Sequence, residues 1–267
     1  MLLLAGALLL GVLVVHNQAA PPQPEPADPF ERAVAVVRPS VLAVGSYDAK
    51  DQPSIRYFGT GFVVADGHSA VTNAHVVQGI RAADRLDRLR VYFPDDQVQG
   101  ANRGRQAKVL AEDTVHDVAL LSFDGPPAAA LELVDRAPAQ GHAVGVLGYP
   151  IGTILGLVPA AHHGVVSAVV PAVLPVPTGT QLTPELVAAL RNPYKLYQLD
   201  LTVFPGNSGS PLFDARSGQV LGIINKTLAR RTREHMLENP TGVAYAVPVR
   251  WVQILINDNL RTDDSRR

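Results

Sequence analysis

Apolar residues occur along most of this chain in short runs bounded by Gly, Pro and polar residues, a pattern typical of β-strands. The first half predicts strands at 41–44, 56–65, 69–72, 89–93, 107–110 and 118–123. The second half predicts strands at 143–147, 165–170, 197–201, 211–213, 220–224 and 243–247. A Pro-containing linker at 125–138 separates the two sets. The pattern therefore favours an all-β fold made of two barrels or sandwiches of similar size.

Helices are predicted mainly at the two ends of this β region. Asp28 suits a helix N-cap and Pro29 the first turn, and this short helix ends before Pro39. Residues 249–260 carry apolar side chains at helical spacing and predict a closing helix. Two further stretches interrupt the strands. A Pro-rich segment, 171–192, contains a short predicted helix at 183–190, and the Arg-containing segment 226–240 is predicted as a long loop.

The N-terminus differs in texture from the rest of the chain. Residues 2–15 are apolar and uncharged, but a membrane-spanning helix normally needs about 20 such residues. Residues 1–20 are therefore interpreted as a signal peptide or a membrane anchor. The expected location is outside the cytoplasm, periplasmic or extracellular. Residues 21–29 hold five prolines and predict a stiff linker. The expected domain is 30–260, with barrel one at about 30–130, barrel two at about 138–248, a closing helix at 249–260 and a polar tail at 261–267.

Composition narrows the chemistry that this fold can carry. Hydrophobic residues make up 47% of the 267 residues, which excludes wholesale disorder. The formal net charge is −1, which argues against nucleic acid as the main partner. Cysteine is absent, which excludes disulfides, thiol catalysis and cysteine-bound metals. The pair His162-His163 lacks an acidic companion at helical spacing, so we expect no metal and no cofactor.

Three short motifs carry candidate catalytic residues. Thr72-Asn73-Ala74-His75-Val76-Val77 places a histidine just after a strand. His116-Asp117-Val118-Ala119-Leu120-Leu121 places an aspartate at the start of a strand that is expected to be buried, and Gly206-Asn207-Ser208-Gly209-Ser210-Pro211 places a serine in a glycine-flanked turn. Their order along the chain is His, Asp, Ser.

The chemistry of acyl transfer needs these three residue types together. A serine hydroxyl is a weak nucleophile at neutral pH and needs a base, and histidine, with an unperturbed pKa near 6.5, suits that role. A carboxylate holds the imidazole in the required tautomer. Gly206 and Gly209 allow a tight turn around Ser208, so that backbone N–H groups converge on one point. The motifs therefore predict a triad of His75, Asp117 and Ser208.

Other assignments fit the sequence less well. His116 is adjacent to Asp117, and successive strand residues point to opposite faces, so His116 is a poor base for that carboxylate. An α/β-hydrolase elbow needs Gly-x-Ser-x-Gly, but position 210 is Ser, and the chain order Ser, acid, His is also missing.

With these motifs in place, the sequence resembles the trypsin-like serine peptidases of the HtrA (Deg) type. The three triad motifs match that family's pattern, and four further segments match in the same order, over roughly residues 30–260. Those four segments are Gly59-Thr60-Gly61-Phe62-Val63-Val64, Gly148-Tyr149-Pro150-Ile151-Gly152, Gly164-Val165-Val166-Ser167-Ala168 and Gly242-Val243-Ala244-Tyr245-Ala246-Val247-Pro248.

The resemblance implies a chymotrypsin-like double β-barrel with the triad in the cleft between the barrels. It implies an oxyanion hole at Gly206, Asn207 and Ser208, with donors from the backbone of Gly206 and Ser208. It also implies an extended polypeptide substrate and a role in protein quality control or regulated proteolysis. The residues it places in the primary specificity pocket are Thr202, Val203, Phe204, Ile223, Ile224 and Asn225. Because Val203, Ile223 and Ile224 are apolar, we expect a small aliphatic residue before the scissile bond.

The sequence also departs from the HtrA pattern. No PDZ domain is expected after the closing helix, so peptide sensing by such a domain is not expected either. Ser210 stands where the family usually has Gly. The resulting Gly-Asn-Ser-Gly-Ser-Pro turn is similar to that of glutamyl endopeptidases, and Lys226 would suit an acidic substrate residue. However, Gly222-Ile223-Ile224 lacks the histidine of those enzymes. A homotrimer, common in the family, stays open, as does a non-proteolytic holdase that keeps the barrels without cutting.

Overall fold

The computed structural model describes residues 28–94, 103–150, 158–172, 193–225 and 242–260. It begins with helix α1 (Pro29–Val37), in which the Asp28 side chain accepts a hydrogen bond from the Phe30 N–H at 2.7 Å. This carboxylate satisfies one of the N–H groups that have no partner within the helix. The start of α1 is therefore the one that the sequence predicts.

Six antiparallel strands close into barrel one. Their order around the barrel is β1-β2-β3-β6-β5-β4. The strands are β1 (Val41–Tyr47), β2 (Ile55–Val64), β3 (Ser69–Thr72), β4 (Leu89–Tyr92), β5 (Arg105–Asp113) and β6 (Val118–Phe123). Since a closed barrel leaves no unpaired edge strand, its backbone hydrogen bonds are satisfied within the barrel.

Six further strands close into barrel two, in the order β10-β11-β12-β9-β8-β7. They are β7 (Ala143–Gly148), β8 (Ala160–Pro171), β9 (Lys195–Asp200), β10 (Pro211–Asp214), β11 (Val220–Ile224) and β12 (Val243–Pro248). All twelve strands predicted from the sequence are confirmed, and so is the double barrel of the chymotrypsin type. Strand β8 begins five residues earlier than predicted, which brings His162 and His163 into the sheet.

Two more helices complete the described part. Helix α2 (Ala74–Ala82) follows β3 directly, and helix α3 (Val249–Leu260) follows β12. Helix α3 was predicted from the sequence, whereas α2 was not. Short 3-10 turns lie at Arg38–Ser40 and Leu86–Arg88. Among the described residues no helix is long and apolar enough to cross a membrane.

The apolar core has three parts. One fills barrel one and includes Leu42, Val63 and Leu121; a second fills barrel two and includes Val146, Leu199 and Ile224. The third lies outside the barrel interiors, where α1 and α3 pack against the strands, and includes residues of both barrels. This shared third core fixes the two barrels against one another, and so fixes the distance across the cleft between them.

Several predictions fall outside the described residues. They concern the N-terminal segment 1–20, most of the linker 21–29, the short helix 183–190, the loop 226–240 with Lys226, and the tail 261–267. They stay predictions.

Candidate active site

His75 lies at the junction between β3 and α2. Strand β3 ends at Thr72, and the helix begins at Ala74, so His75 is in its first turn. Backbone N–H groups in the first turn of a helix have no acceptor within the helix. The N–H of His75 donates instead to Asp117 Oδ1 at 2.7 Å. The helix terminus that sequence reasoning missed therefore supplies a donor for the carboxylate beside the histidine.

Asp117 has more hydrogen-bond partners than its bond to the imidazole alone. Its Oδ2 is 2.6 Å from His75 Nδ1, and Asn225 Nδ2 donates to the same oxygen at 2.7 Å. The backbone carbonyl of Asp117 accepts from Asn73 Nδ2 at 2.9 Å. Since an ionised carboxylate only accepts, the His75 proton resides on Nδ1 and leaves Nε2 free to act as a base.

Ser208 lies in a turn, residues 205–210, that leads into β10 and is called the serine turn below. Gly206 and Gly209 have φ values of 101° and 87°, a backbone region that favours glycine. Within the turn the N–H of Asn207 donates to Phe204 O at 3.1 Å, and that of Ser210 donates to Asn207 O at 3.0 Å. The glycines predicted to permit a tight turn around Ser208 are thus used for that purpose.

Thr60, on β2 of barrel one, holds this turn. Its N–H donates to Ser208 O at 2.8 Å, and its Oγ1 donates to Gly206 O at 2.7 Å. The same hydroxyl accepts from the Tyr149 N–H at 3.0 Å, and the Thr60 carbonyl accepts from Thr72 Oγ1 at 2.7 Å. One fully buried threonine therefore joins the serine turn, strand β3 and the end of β7.

The serine turn and helix α2 meet at Gly59. A Cβ at Gly59 would lie 2.7 Å from Val76 Cγ2 and 2.9 Å from Ser208 O, so no larger residue fits between them. Ser208 is 7% exposed. The described residues contain no hydrogen bond between the Ser208 hydroxyl and His75, a contact that often tightens only when substrate binds. The structure thus brings the backbone of Ser208 next to the residue that follows His75.

The N–H groups of the serine turn fall into two sets. Those of Asn207, Gly209 and Ser210 donate to backbone carbonyls. Within the part of the chain that the structure describes, nothing accepts from the N–H of Gly206 or of Ser208. These two are the donors that the sequence comparison with the HtrA pattern names.

Asn207 lies beneath the turn and is fully buried. Its Nδ2 is 3.4 Å from His162 Nε2, and the His162 ring is 6.0 Å from that of Phe204. Burial lowers the pKa of His162 from its ordinary value, because desolvation disfavours the charged imidazole. A neutral His162 can accept a hydrogen bond from the Asn207 amide. No sequence signal pointed to this contact, since the two residues are 45 positions apart.

The residues expected to line a specificity pocket have different surroundings. Val203 and Ile224 pack in the interior of barrel two, whereas Ile223 packs in the third core. Asn225 donates to Asp117, a role that sequence reasoning did not give it. Thr202 and Phe204 are half-buried. The pocket assignment stays a prediction, because the neighbouring segment 226–241 is outside the described residues.

The histidine pair on β8 has two separate environments. His162 contacts Asn207, whereas His163 stacks on Phe30 with ring centroids 4.6 Å apart. Across the described ranges there is no group of three or more His, Asp or Glu side chains that could hold a metal ion.

Comparison with protein families gives one match that covers more than half of the chain. A family model described as a trypsin-like peptidase domain matches residues 59–223. This range includes all three residues of the predicted triad.

Two curated relatives are about equally similar. The probable periplasmic DegP-like serine endoprotease of Halomonas elongata is 30% identical over 213 residues, 79% of this chain and 36% of that protein. Serine protease Rv3671c of Mycobacterium tuberculosis is 30% identical over 201 residues, 75% of this chain and 43% of that protein. The chain thus spans less than half the length of either relative.

Solved structures share the fold. The inactive form of the Rv3671c protease has a TM-score of 0.60 at 24% identity, covering 85% of this chain and 92% of that one. A serine endoprotease from Yersinia pestis has a TM-score of 0.60 at 22% identity, covering 87% and 66%.

Proposed function

Because the chain belongs to the family of trypsin-like peptidases, we propose that it is an HtrA-type serine endopeptidase that cleaves through His75, Asp117 and Ser208. The observation that carries the proposal is the pair of hydrogen bonds, 2.7 and 2.6 Å long, that join both carboxylate oxygens of Asp117 to His75. They fix the imidazole with Nε2 directed away from the carboxylate. A histidine oriented in this way is what a serine nucleophile requires.

The reaction proceeds in two halves. Ser208 Oγ attacks the scissile carbonyl carbon while its proton passes to His75 Nε2, and Asp117 stabilises the imidazolium. The carbonyl oxygen becomes an oxyanion, which accepts from the N–H groups of Gly206 and Ser208. The intermediate collapses as His75 gives its proton to the leaving amine, and an acyl-enzyme on Ser208 results. Water then attacks the ester carbon while His75 takes its proton, and His75 returns that proton to Ser208 Oγ as the ester bond breaks and the acid is released.

Two features of the serine turn support this oxyanion assignment. The N–H groups of Gly206 and Ser208 have no acceptor among the described residues, although their neighbours in the turn do. Thr60 fixes the turn through the carbonyl groups of the same two residues. Donors held in place before the reaction need no reorganisation as charge develops, and losing one typically costs about 2.7–4 kcal/mol.

The substrate we propose is an extended or unfolded polypeptide that pairs with the enzyme as an added strand. This mode of binding reads the backbone and suits a peptidase of protein quality control. The apolar character of Val203, Ile223 and Ile224, which the resemblance assigns to the specificity pocket, supports a small aliphatic residue before the scissile bond. A peptide library would show this preference as enrichment of Ala, Val or Ile at that position.

We further propose that the protein acts outside the cytoplasm. The support is the apolar stretch 2–15 together with a relative named as periplasmic. Fractionation combined with intact-mass measurement would distinguish a cleaved signal peptide from a retained anchor.

Degradation of casein and labelling by a fluorophosphonate test the proposed activity directly. The purified protein should cleave casein and carry the label, whereas Ser208→Ala should lose about a millionfold in kcat and should not be labelled. Ser217→Ala, at an exposed serine in the turn after β10, is the matched control and should behave as the parent. Undiminished cleavage by Ser208→Ala, or no cleavage by the parent, would contradict the proposal.

A further inference from the structure

His116 precedes Asp117 and has no part in the proton transfers described above. It lies in the turn at 114–117 between β5 and β6, and its side chain is only 15% exposed. A buried imidazole beside an active-site carboxylate needs an explanation, because its polar atoms must find partners within the protein.

Asp113, the last residue of β5, supplies the partner of the His116 Nδ1 and of the backbone N–H. Its Oδ1 accepts from the N–H groups of Val115 and His116, both at 3.0 Å, and its Oδ2 is 2.6 Å from His116 Nδ1. Burial raises the pKa of Asp113, but the hydrogen bonds from His116 and Val115 outweigh burial and hold the pKa below its usual value. The carboxylate therefore stays ionised, and it fixes both the backbone of the turn and the orientation of the His116 ring.

The other side of the His116 ring is covered by aromatic residues of the barrel-two half. Trp251, in α3, stacks on it with ring centroids 3.4 Å apart and planes 13° apart. Tyr194, just before β9, packs edge-on with centroids 4.7 Å apart. The only charged group placed over these rings is the Arg250 guanidinium, 5.6 Å from the Trp251 ring, within the described part of the chain. A turn of barrel one is thus held by Tyr194, which lies between two strands of barrel two, and by Trp251 in the helix that follows barrel two.

The residue after His116 has an unusual backbone conformation. Asp117 has a φ of 57°, in the left-handed region that non-glycine residues seldom occupy. Such a conformation persists only where the surrounding structure holds it in place. On its C-terminal side Asp117 is followed by the β6 ladder, in which Val118 pairs with Asp113. On its N-terminal side the turn is held by Asp113, which accepts from the N–H groups of Val115 and His116, and by the packed ring of His116. The carbonyl of Asp117 also accepts from Asn73 Nδ2.

We propose that Asp113, His116, Tyr194 and Trp251 form a clamp that positions Asp117, so that the docking of helix α3 determines how well Asp117 orients His75. His116 and Trp251 are positioning residues, since neither touches the reacting atoms. The inference rests on the proposed triad. It adds that activity depends on a stacking contact between the C-terminal helix and the turn that carries the acid.

The kinetic test compares Trp251→Ala with Trp251→Phe and Ile254→Ala. Trp251→Ala should lower kcat by about 10- to 100-fold with KM unchanged, because misplacing a catalytic group costs about that much. Trp251→Phe keeps a stacking ring and should recover most of the loss. Ile254→Ala, on an exposed position of the same helix, should match the parent. Active-site titration expresses kcat per folded enzyme, and His116→Ala repeats the test from barrel one should Trp251→Ala fail to fold.

A second measurement does not depend on activity. The proton on His75 Nδ1, bonded over 2.6 Å to Asp117, should give a far-downfield proton NMR signal in the parent. In Trp251→Ala and His116→Ala this signal should move upfield or be lost through exchange with water. An unchanged signal and an unchanged kcat would overturn the clamp. If the parent is inactive but its signal still differs from that of the two variants, the proposed activity is overturned and the clamp is not.

Discussion

Two halves of the candidate site differ in how far their polar atoms are hydrogen-bonded. The acid–base half surrounds His75 and Asp117, and the nucleophile half is the turn around Ser208. In the first, Asp117 is involved in four hydrogen bonds, from His75 (two), Asn225 and Asn73. In the second, the N–H groups of Gly206 and Ser208 have no described acceptor. Asn207 Oδ1 and Ser210 Oγ are also buried without a hydrogen-bond partner among the described residues.

This difference indicates which half of the site lowers the stability of the folded protein for the sake of the proposed catalysis. The hydrogen bonds to Asp117 are in place before substrate arrives and stabilise the folded state, although Asn73 Oδ1 beside them is buried without a partner among the described residues. Under the proposed function, the serine turn keeps two N–H donors for an oxyanion that forms only during the reaction, so these donors stabilise the folded state less than bonded ones would. We therefore expect substitutions in the first half to reduce activity and some substitutions in the second half to raise stability.

Among the residues that support the triad, the largest effect is expected from Asn225→Ala, which removes the only hydrogen bond to the Asp117 carboxylate that a barrel-two residue makes in the described structure. A hydrogen bond to a charged group is worth about 1.5–3 kcal/mol, so kcat should fall by about 10- to 100-fold. Asp117→Asn, which leaves the wrong tautomer, sets an upper limit of about 10⁴-fold. Steady-state kinetics on a peptide substrate would measure both.

The control for Asn225→Ala is Asn259→Ala, in which the lost amide donates to Leu255 O within α3. Its kcat should equal that of the parent. If Asn225→Ala kept full kcat, the acid–base half would not depend on barrel two, and the contrast between the halves would weaken.

An intermediate effect, on stability alone, is expected from Ser210→Ala. The Ser210 hydroxyl is buried without a partner in the described structure, and such a group typically costs about 1–3 kcal/mol. Removing it should raise the free energy of unfolding by roughly 1 kcal/mol, measured by urea denaturation. Ser217→Ala, at an exposed serine whose hydroxyl is hydrogen-bonded to Gln219 at 3.3 Å, should not raise stability. A Ser210→Ala variant less stable than the parent would mean that the hydroxyl has a role in the turn.

The smallest effect concerns pH. Burial lowers the pKa of His162 from 6.5, so the imidazole is protonated more readily in the unfolded chain than in the folded one. Its contribution to stability is therefore fully present above the unfolded value of 6.5 and is lost as the pH falls below it. In His162→Gln, which keeps an acceptor for Asn207 but does not titrate, the free energy of unfolding should fall less between about pH 7.5 and about pH 5. Parallel slopes in the two proteins would contradict this.

The sequence predicted the strands well because each barrel strand carries its own signal. Short apolar runs bounded by turn residues were enough to find all twelve. Helix α2 was not predicted because Val76 and Val77, which follow His75, are β-branched and lower the local helix propensity. Its burial on one side, at Ala74, Val77 and Ile80, is a tertiary feature.

The sequence identifies the motifs of the candidate site, but it does not identify the residues that hold those motifs in place. The resemblance assigned Asn225 to a specificity pocket, whereas its amide reaches Asp117, 108 positions away. The Thr60 hydroxyl meets Gly206 across 146 positions. Contacts at such separations depend on how two closed barrels are placed against each other, and no local pattern encodes that placement.

The Thr60 junction also bears on the order in which the protein acquires its properties during synthesis. A chain made from its N-terminus can close all six strands of barrel one, residues 41–123, long before Ser208 leaves the ribosome. Thr60 has no access to Gly206 and Ser208 until that much later segment is synthesised. Contacts between segments so far apart in sequence form slowly. Under the proposed function, hydrolytic competence is therefore the last feature to mature, and an unfinished chain is not a hazard to the other nascent proteins around it.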